Sequence, residues 1–196
     1  MRIGVLAIQG DVREHLAHLR ALGVDAVPVR SAEAVQSVDG LILPGGESTT
    51  IGMLMQEYGV DQAILSRRQA EALPMWGTCA GTILLAREVH GWSPARLGLM
   101  DIAVDRNAYG RQLASFEVAV PIPVLGEPPF PAVFIRAPRI TRLGPGVRAL
   151  ASHDGSVVMA EADDLLVTTF HPEMTPDRRV HAYFVDMVAH RRRPRQ

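Results

Sequence analysis

The sequence predicts an α/β protein with a mostly parallel central sheet covered by helices, and two features of the chain support this. In the first half, short apolar runs alternate with segments whose apolar residues recur at helical spacing, which is typical of strand–helix–strand units. The apolar runs lie at residues 3–8, 26–29, 40–43 and 74–78. In the second half, between residues 97 and 167, strand signals dominate and predict extra antiparallel strands. A chain of 196 residues suits one such domain.

The first predicted helix lies between Asp11 and Gly23, because Asp is a common N-cap and Gly a common C-terminal stop. Its apolar stripe consists of Val12, Leu16, Leu19 and Leu22. Further helices are predicted at about residues 50–57, 61–72, 80–89 and 176–190. Pro28 has no amide hydrogen, so the second strand is predicted at an edge of the sheet.

The strands predicted in the second half lie at residues 99–104, 116–120, 133–135, 147–151 and 157–160. His153-Asp154-Gly155 is typical of a hairpin turn. The proline-rich segment 121–131 is predicted as a surface loop or an edge and not as a linker, because strands resume on both sides of it. We therefore expect a single domain over residues 1–190 and a disordered basic tail over residues 191–196.

Composition excludes several classes of function. Twenty basic and twenty-one acidic residues give a net charge of -1, so no overall field favours nucleic acid or a membrane. Every basic residue is arginine, which excludes a Schiff-base or P-loop lysine in this chain. Cys79 is the single cysteine, so neither an intrachain disulfide nor a multi-cysteine zinc site can form. No apolar stretch reaches the ~18 residues of a membrane span, and we expect a cytoplasmic protein without cofactor or metal.

The first candidate site is the segment Gly-Thr-Cys-Ala-Gly at residues 77–81, between a predicted strand and a predicted helix. A cysteine in this tight turn has the layout of a nucleophile elbow, and the two glycines relieve crowding around it. The N-terminus of the following helix favours the thiolate of Cys79, and the N–H of Ala80 is suited to stabilise an oxyanion. A free cysteine can also be a small buried apolar residue, and the motif alone leaves both readings open.

The second candidate site is His171-Pro172-Glu173, which follows the apolar run 165–170. Pro172 disfavours helical geometry at His171, so the segment is expected to stay extended, with the imidazole and the carboxylate on the same side. They would then act as the base and its orienting acid beside Cys79. Alone, the motif is more typical of an exposed strand end with a solvated histidine, and Cys79 at another strand end is what favours the catalytic reading.

The third candidate is the loop Pro-Gly-Gly-Glu-Ser-Thr-Thr at residues 44–50, whose glycines let backbone N–H groups face a ligand. It can equally be a turn with a helix cap, and it lacks the lysine of a Walker phosphate loop. His15 and His18 lie on one helix face without further convergent metal ligands. Three other histidines are predicted on the surface: His90, His181 and His190.

Together, the elbow, the His-Pro-Glu pair and the Pro-Gly-Gly loop resemble the class I (triad) glutamine amidotransferases. Further segments resemble the branch formed by the glutaminase subunits of pyridoxal 5'-phosphate synthase. These segments are residues 4–15, Glu-Ser-Thr-Thr at 47–50, Arg-Asn-Ala-Tyr-Gly-Arg-Gln at 106–112 with Ser115-Phe116, and Phe-Ile-Arg-Ala-Pro at 134–138. The resemblance extends from the first residue to about Val188.

The resemblance implies a three-layer, flavodoxin-like fold and the hydrolysis of L-glutamine to L-glutamate and ammonia. It gives Cys79 the role of nucleophile, His171 that of base and Glu173 that of orienter. The substrate-binding positions that it implies are Gly46, Glu47, Ser48, Arg106, Ile135 and Arg136. The N–H groups of Gly46 and Ala80 would form the oxyanion hole.

The resemblance also implies a partner, a barrel-shaped synthase subunit that combines the ammonia with ribose 5-phosphate and glyceraldehyde 3-phosphate to make pyridoxal 5'-phosphate. Family analogy suggests twelve copies of each subunit, with a glutaminase that is poorly active until docked and a Gly45-Gly46 loop completed by docking. Two alternatives stay open. The chain could be a glutaminase serving another synthase, as in the imidazole glycerol phosphate or purine pathways, or a non-catalytic binding module on the same fold.

Overall fold

A computed structural model describes residues 1–91, 95–106 and 115–192, and a ten-stranded sheet lies at its centre. The strands are β1 (Arg2–Leu6), β2 (Asp25–Val29), β3 (Gly40–Leu43), β4 (Met75–Thr78), β5 (Ala86–His90), β6 (Met100–Asp105), β7 (Ser115–Val120), β8 (Phe130–Ile135), β9 (Arg139–Leu143), β10 (Arg148–His153), β11 (Ser156–Ala162) and β12 (Leu165–Thr168). The helices are α1 (Val12–Ala21), α2 (Ala32–Val35), α3 (Ser48–Glu57), α4 (Val60–Ala70), α5 (Ala80–Leu85) and α6 (Arg179–Arg192). Short 3₁₀ turns cover Pro123–Leu125 and Pro172–Met174.

The sheet has the strand order β2-β1-β3-β4-β12-β11-β9-β6-β5, with β10 paired to β11. The strands from β2 to β12 in this order are parallel, whereas β12, β11, β9 and β6 pair antiparallel with one another. A separate antiparallel hairpin joins β7 to β8. This mixed sheet confirms the predicted fold class, and the edge position of β2 confirms the prediction from Pro28.

Helices cover the parallel part of the sheet on both faces because its buried strands present apolar side chains to both sides. Ile42 in β3 and Trp76 in β4 face the layer that contains α1, α6 and the β7–β8 hairpin. Their chain neighbours Leu41 and Met75 face the opposite layer, which contains α3, α4 and α5. This alternation produces the three layers of the fold.

Some elements differ from the predicted ones. The helix predicted over residues 80–89 ends at Leu85, because residues 86–90 pair with β6 and become a strand. Helix α2, which begins after a Ser31 side-chain cap, has no counterpart among the predicted elements. Helix α6 runs to Arg192, two residues into the segment predicted as a tail, and residues 193–196 lie outside the described residues.

The topology brings the carboxyl ends of β3, β4 and β12 side by side, since these three strands are adjacent and parallel. All three candidate sites follow these ends: the Pro44 loop after β3, Cys79 after β4 and His171 beyond β12. In open α/β sheets, this edge is where ligands bind. Within the described residues, no helix is both long and apolar enough to cross a membrane.

Candidate active site

A cleft of about 340 Å³ lies at this edge, within the ~300–1,000 Å³ typical of small-molecule sites. The structure brings together in it every site residue predicted from the sequence except Glu173, which lies behind His171. The lining residues include Gln9, Asp11, Gly46, Glu47, Ser48, Cys79, Ala80, Ile83, Arg106, Ile135, Arg136, His171 and Met174. Residues 107–112, which also carried the resemblance, lie outside the described residues.

The backbone at Cys79 is strained, with φ 47° and ψ -102°, in the turn between β4 and α5. A positive φ is rare for a residue with a side chain and marks the nucleophile elbow predicted from the sequence. The N–H of Cys79 donates to the carbonyl of Thr168 at 2.8 Å, which ties the elbow to β12. A Cβ on Gly77 would lie 2.4 Å from the backbone of Gly81, so the predicted relief of crowding by these glycines is confirmed.

His171 and Glu173 form a buried pair, with His171 Nδ1 2.7 Å from Glu173 Oε1. The chain is extended at His171 but enters a 3₁₀ turn at Pro172, so the expectation of an extended segment through Glu173 is wrong. Pro172 occupies the first position of that turn, where a backbone N–H would have no partner within the turn, so its absence costs no hydrogen bond. The turn still brings the two side chains together, and the N–H of His171 donates to Val133 in β8 at 2.7 Å.

The electrostatics of the cleft favour a protonated His171. Burial disfavours the imidazolium, but hydrogen bonds with Asp11, Cys79 and Glu173, together with the charge of Glu173, outweigh burial and raise the pKa of His171 to about 12. A cationic imidazole hydrogen-bonded to Cys79 favours the thiolate, the nucleophilic form of cysteine.

Asp11 is a second carboxylate at the same imidazole, with Oδ2 3.4 Å from His171 Nδ1. Asp11 is the predicted N-cap of α1, but its side chain makes no cap hydrogen bond. Ligand atoms of Asp11, His171 and Glu173 lie within 4.8 Å of one another, a spacing that a metal ion could bridge. In this structure, however, His171 Nδ1 already shares a hydrogen bond with Glu173, so the three groups form a charge network.

Gly45 lies directly against the imidazole of His171. A Cβ at this position would come 2.4 Å from His171 Cε1 and 2.9 Å from Asp11 Oδ2, closer than real contacts allow. The Gly45 carbonyl accepts from the N–H of Asp11 at 3.2 Å, and Gln9 Oε1 accepts from the N–H of Glu47 at 2.8 Å. The loop after β3 is therefore anchored to the loop after β1.

Glu47 holds the start of α3. Its carboxylate accepts from the N–H and hydroxyl groups of both Thr49 and Thr50, and it also pairs with Arg106. Partial burial works against ionisation, but these hydrogen bonds outweigh it and lower the pKa of Glu47 to about 2. Much of the Glu47 side chain is thus occupied by the protein itself, and it orients Arg106 towards the cleft.

The opposite wall of the cleft comes from the end of β8. Cys79 Sγ lies 3.8 Å from the carbonyl oxygen of Ile135, and Arg136 follows with φ 43°. Within residues 1–91, 95–106 and 115–192, no carboxylate lies within 4 Å of the Arg136 guanidinium, so this cation is available to an anionic group of a ligand.

Gly46 and Ala80 line the same cleft as Cys79. Ala80 is the first residue of α5, and the first N–H groups of a helix have no partner within the helix. Gly46 adopts φ 155°, a conformation that favours glycine. The positions are those expected of an oxyanion hole.

Two residues of the loop between β1 and α1 line the site without being among the predicted site residues. Gln9 and Asp11 lie in the segment that carried the resemblance, and that resemblance was the single available signal for them. The prediction of His181 as a surface residue is wrong: it is fully buried, because α6 packs its face against α1 and Trp76. His15 is also fully buried and lies 3.5 Å from Glu173.

The fold and this cleft are those of a class I glutamine amidotransferase. A crystal structure of a glutamine amidotransferase superposes with a TM-score of 0.91 at 45% identity, over 95% of this chain and 98% of the other. Pyridoxal 5'-phosphate synthase subunit PdxT of Moorella thermoacetica is 54% identical over 189 residues, which are 96% of this chain and 100% of that protein. The PdxT subunit of Thermotoga maritima is 50% identical over 188 residues, again 96% and 100% of the two chains. Residues 5–190 match the SNO glutamine amidotransferase family, and the chain belongs to that family.

Proposed function

We propose that this chain hydrolyses L-glutamine to L-glutamate and ammonia and delivers the ammonia to a pyridoxal 5'-phosphate synthase subunit. The observation that carries the proposal is the alignment of Cys79, His171 and Glu173: a cysteine in a strained turn shares the cleft with an imidazole whose Nδ1 lies 2.7 Å from a buried carboxylate. This is the order of nucleophile, base and orienting acid that acyl transfer requires. Relatives named PdxT, about half identical to this chain, support the pathway.

The reaction begins with attack of the Cys79 thiolate on the side-chain amide carbon of glutamine. As the S–C bond forms, the π bond of the amide carbonyl breaks and its electron pair moves to the oxygen, which becomes negatively charged. The N–H groups of Gly46 and Ala80 stabilise that charge, since fixed donors in a desolvated cleft need no reorganisation.

His171 then acts as the general acid. Its imidazolium protonates the amide nitrogen, the C–N bond breaks, and ammonia leaves a thioester on Cys79. The neutral imidazole next removes a proton from water, which attacks the thioester carbonyl and releases glutamate and the thiolate. Glu173 holds the imidazole in the orientation that both steps need.

The cleft suits the two charged groups of an amino acid. Arg136, which has no carboxylate partner among the described residues, and Arg106, which Glu47 anchors, favour the α-carboxylate, because a guanidinium presents several donors in a planar fork. Loop carbonyls and the remaining acceptor capacity of Glu47 favour the α-ammonium. Ser48 and Ile135 complete the substrate contacts that we propose.

The partner in this proposal is a barrel-shaped synthase subunit that consumes ammonia with ribose 5-phosphate and glyceraldehyde 3-phosphate. The absence of lysine from this chain supports the division of labour, because imine chemistry with these sugars needs an amine on the partner. We further propose a single cytoplasmic glutaminase domain over residues 1–190, assembled as twelve copies with twelve synthase subunits.

The test is ammonia release from L-glutamine with and without the synthase subunit. We expect activity that rises on addition of the partner and that Cys79→Ala lowers by about a thousandfold or more, as loss of a covalent nucleophile does. Full activity in Cys79→Ala would refute the mechanism. Activity that the partner leaves unchanged would keep the glutaminase but refute the proposed pathway. No activity with the partner would support a non-catalytic module instead.

A further inference from the structure

A buried row of histidines lies behind the triad, on the side of Glu173 that faces away from His171. His15 in α1 and His181 in α6 are both fully buried, with His15 Nδ1 2.9 Å from His181 Nε2. The other nitrogen of His15, Nε2, lies 3.5 Å from Glu173 Oε2 and 3.3 Å from the hydroxyl of Thr78. A continuous polar path therefore leads from the triad into the core.

The second oxygen of Glu173 is the reason to assign a role to this row. Oε1 is bonded to His171, but within the described part of the chain Oε2 is buried without a hydrogen-bond partner. Burial of a carboxylate oxygen that accepts no hydrogen bond costs free energy of folding, so a nearby group is expected to donate a hydrogen bond to it. His15 Nε2 is placed to do so, at 3.5 Å, a distance that is long for a hydrogen bond. Catalytic hydrogen bonds of this kind shorten when the substrate complex forms.

The tautomers follow from the same contacts. Nδ1 of His181 has no hydrogen-bond partner among the described residues. A neutral ring with its proton on Nε2 has only an acceptor at Nδ1, so no N–H donor is buried without a partner. His181 Nε2–H then donates to His15 Nδ1, which places the proton of His15 on Nε2, between the Thr78 hydroxyl at 3.3 Å and Glu173 Oε2 at 3.5 Å. His18 stacks on His181 with ring centroids 4.4 Å apart and holds it in place.

The charge state agrees with this arrangement. Burial lowers the pKa of His15, although the charge of Glu173 opposes the shift. Burial, with His15 and His18 nearby, lowers the pKa of His181 well below its ordinary value. Both rings are thus neutral near pH 7, so His15 serves Glu173 as a neutral donor and leaves the imidazolium at His171.

We propose that His15, held in its Nε2–H tautomer by His181, is a positioning residue that donates to Glu173 Oε2 and thereby aligns His171 with Cys79. This inference rests on the proposed glutaminase reaction, and it adds two buried histidines to the three residues of the triad. His15 touches neither substrate nor reacting atoms, so it acts entirely through Glu173.

The test compares three variants at His15, assayed for glutaminase activity with the synthase subunit present. Gln places an amide N–H near the position of Nε2, whereas Asn of similar polarity reaches the position of Nδ1 and Leu has no donor. We expect His15→Gln to stay within about threefold of wild-type kcat, and His15→Asn and His15→Leu to lose about tenfold or more, since a hydrogen bond to a charged group is worth that much. The KM for glutamine should change by less than about twofold, because the substrate contacts are untouched.

A matched control separates positioning from loss of packing. Leu19→Ala removes a buried apolar side chain of the same helix that cannot donate a hydrogen bond to Glu173, and it should lower the thermal midpoint while leaving kcat unchanged. Equal kcat in the Gln, Asn and Leu variants of His15 would overturn the proposal. So would a loss in His15→Leu that merely follows the thermal midpoint in the way Leu19→Ala does.

A second readout needs no glutamine turnover. Alkylation of Cys79 by iodoacetamide, followed by intact mass at pH 7, reports the thiolate fraction that the His171 imidazolium maintains. Asp11, Glu173 and His15 are the other titratable groups that face this pair. We expect the rate for His15→Gln to match wild type and the rate for His15→Asn to be several-fold lower. Wild-type protein without glutaminase activity would refute the proposed function, whereas equal alkylation rates would refute the role of His15.

Discussion

Replacement of Gly45 by alanine tests the geometry of the active site most directly. The new Cβ would lie 2.4 Å from His171 Cε1 and 2.9 Å from both His171 Nδ1 and Asp11 Oδ2, whereas ordinary contacts begin near 3.4 Å. Relief of the clash requires the imidazole to move by about 1 Å, because the Gly45 carbonyl is tied to the Asp11 N–H and the loop cannot easily retreat. A displacement of about 1 Å in a catalytic group costs about a hundredfold in rate, which is about 2.7 kcal/mol of transition-state stabilisation.

The assay is steady-state ammonia release with the synthase subunit present, together with the thermal midpoint of each protein. Gly45→Ala should lose about a hundredfold in kcat, with a smaller effect on KM, because the arginines proposed to bind the substrate, Arg106 and Arg136, lie elsewhere in the cleft. The control is Gly59→Ala, where φ is 66° but no atom lies within 4 Å of the new Cβ. That variant should lose about 1 kcal/mol of stability and no activity. A Gly45→Ala enzyme within twofold of wild-type kcat would refute the reasoning.

Three further predictions concern charge and packing. Glu47→Gln should destabilise the protein above about pH 4.5 and become equivalent to wild type as the pH falls towards 2. The pKa of Glu47 is lowered in the folded state, so the ionised carboxylate stabilises the fold and this contribution is lost when Glu47 is protonated. Thermal unfolding of both proteins from pH 6 to pH 2 measures the difference. Asp11→Asn should lower kcat less than Glu173→Gln does, since Asp11 is 3.4 Å from His171 Nδ1 and Glu173 is 2.7 Å away; parallel glutaminase assays compare them. Phe184→Ala should cost about 3–5 kcal/mol in urea unfolding, because this fully buried ring packs against the core, and a loss below about 1 kcal/mol would contradict that placement.

Local sequence was sufficient for the parts of the site in which neighbouring residues supply the geometry. The elbow needs a strand, a cysteine between small residues and a helix, and all of these lie within residues 74–85. His171 and Glu173 are separated by one proline, so a short turn sets their contact. The glycines of the Pro44 loop likewise mark a backbone that a ligand or a ring approaches closely.

Residues that meet across the layers were beyond the reach of sequence patterns. The strand Ala86–His90 continues a helical pattern, and its pairing with β6 overrides that pattern. His181 is predicted on the surface, yet α6 packs against α1 and buries it beside His15. The contact between these two histidines spans 166 positions along the chain.

The sequence by itself determined the strand–helix alternation, the nucleophile elbow and the His-Pro-Glu pair, because apolar periodicity, glycine and proline act over a few residues. The tertiary structure alone decided that Asp11 turns to the imidazole instead of capping α1, that Gly45 supports the ring, and that histidines from two helices meet behind Glu173. Side chains far apart in sequence approach one another only when packed layers close around them, and the free energy of that packing is shared by the whole core.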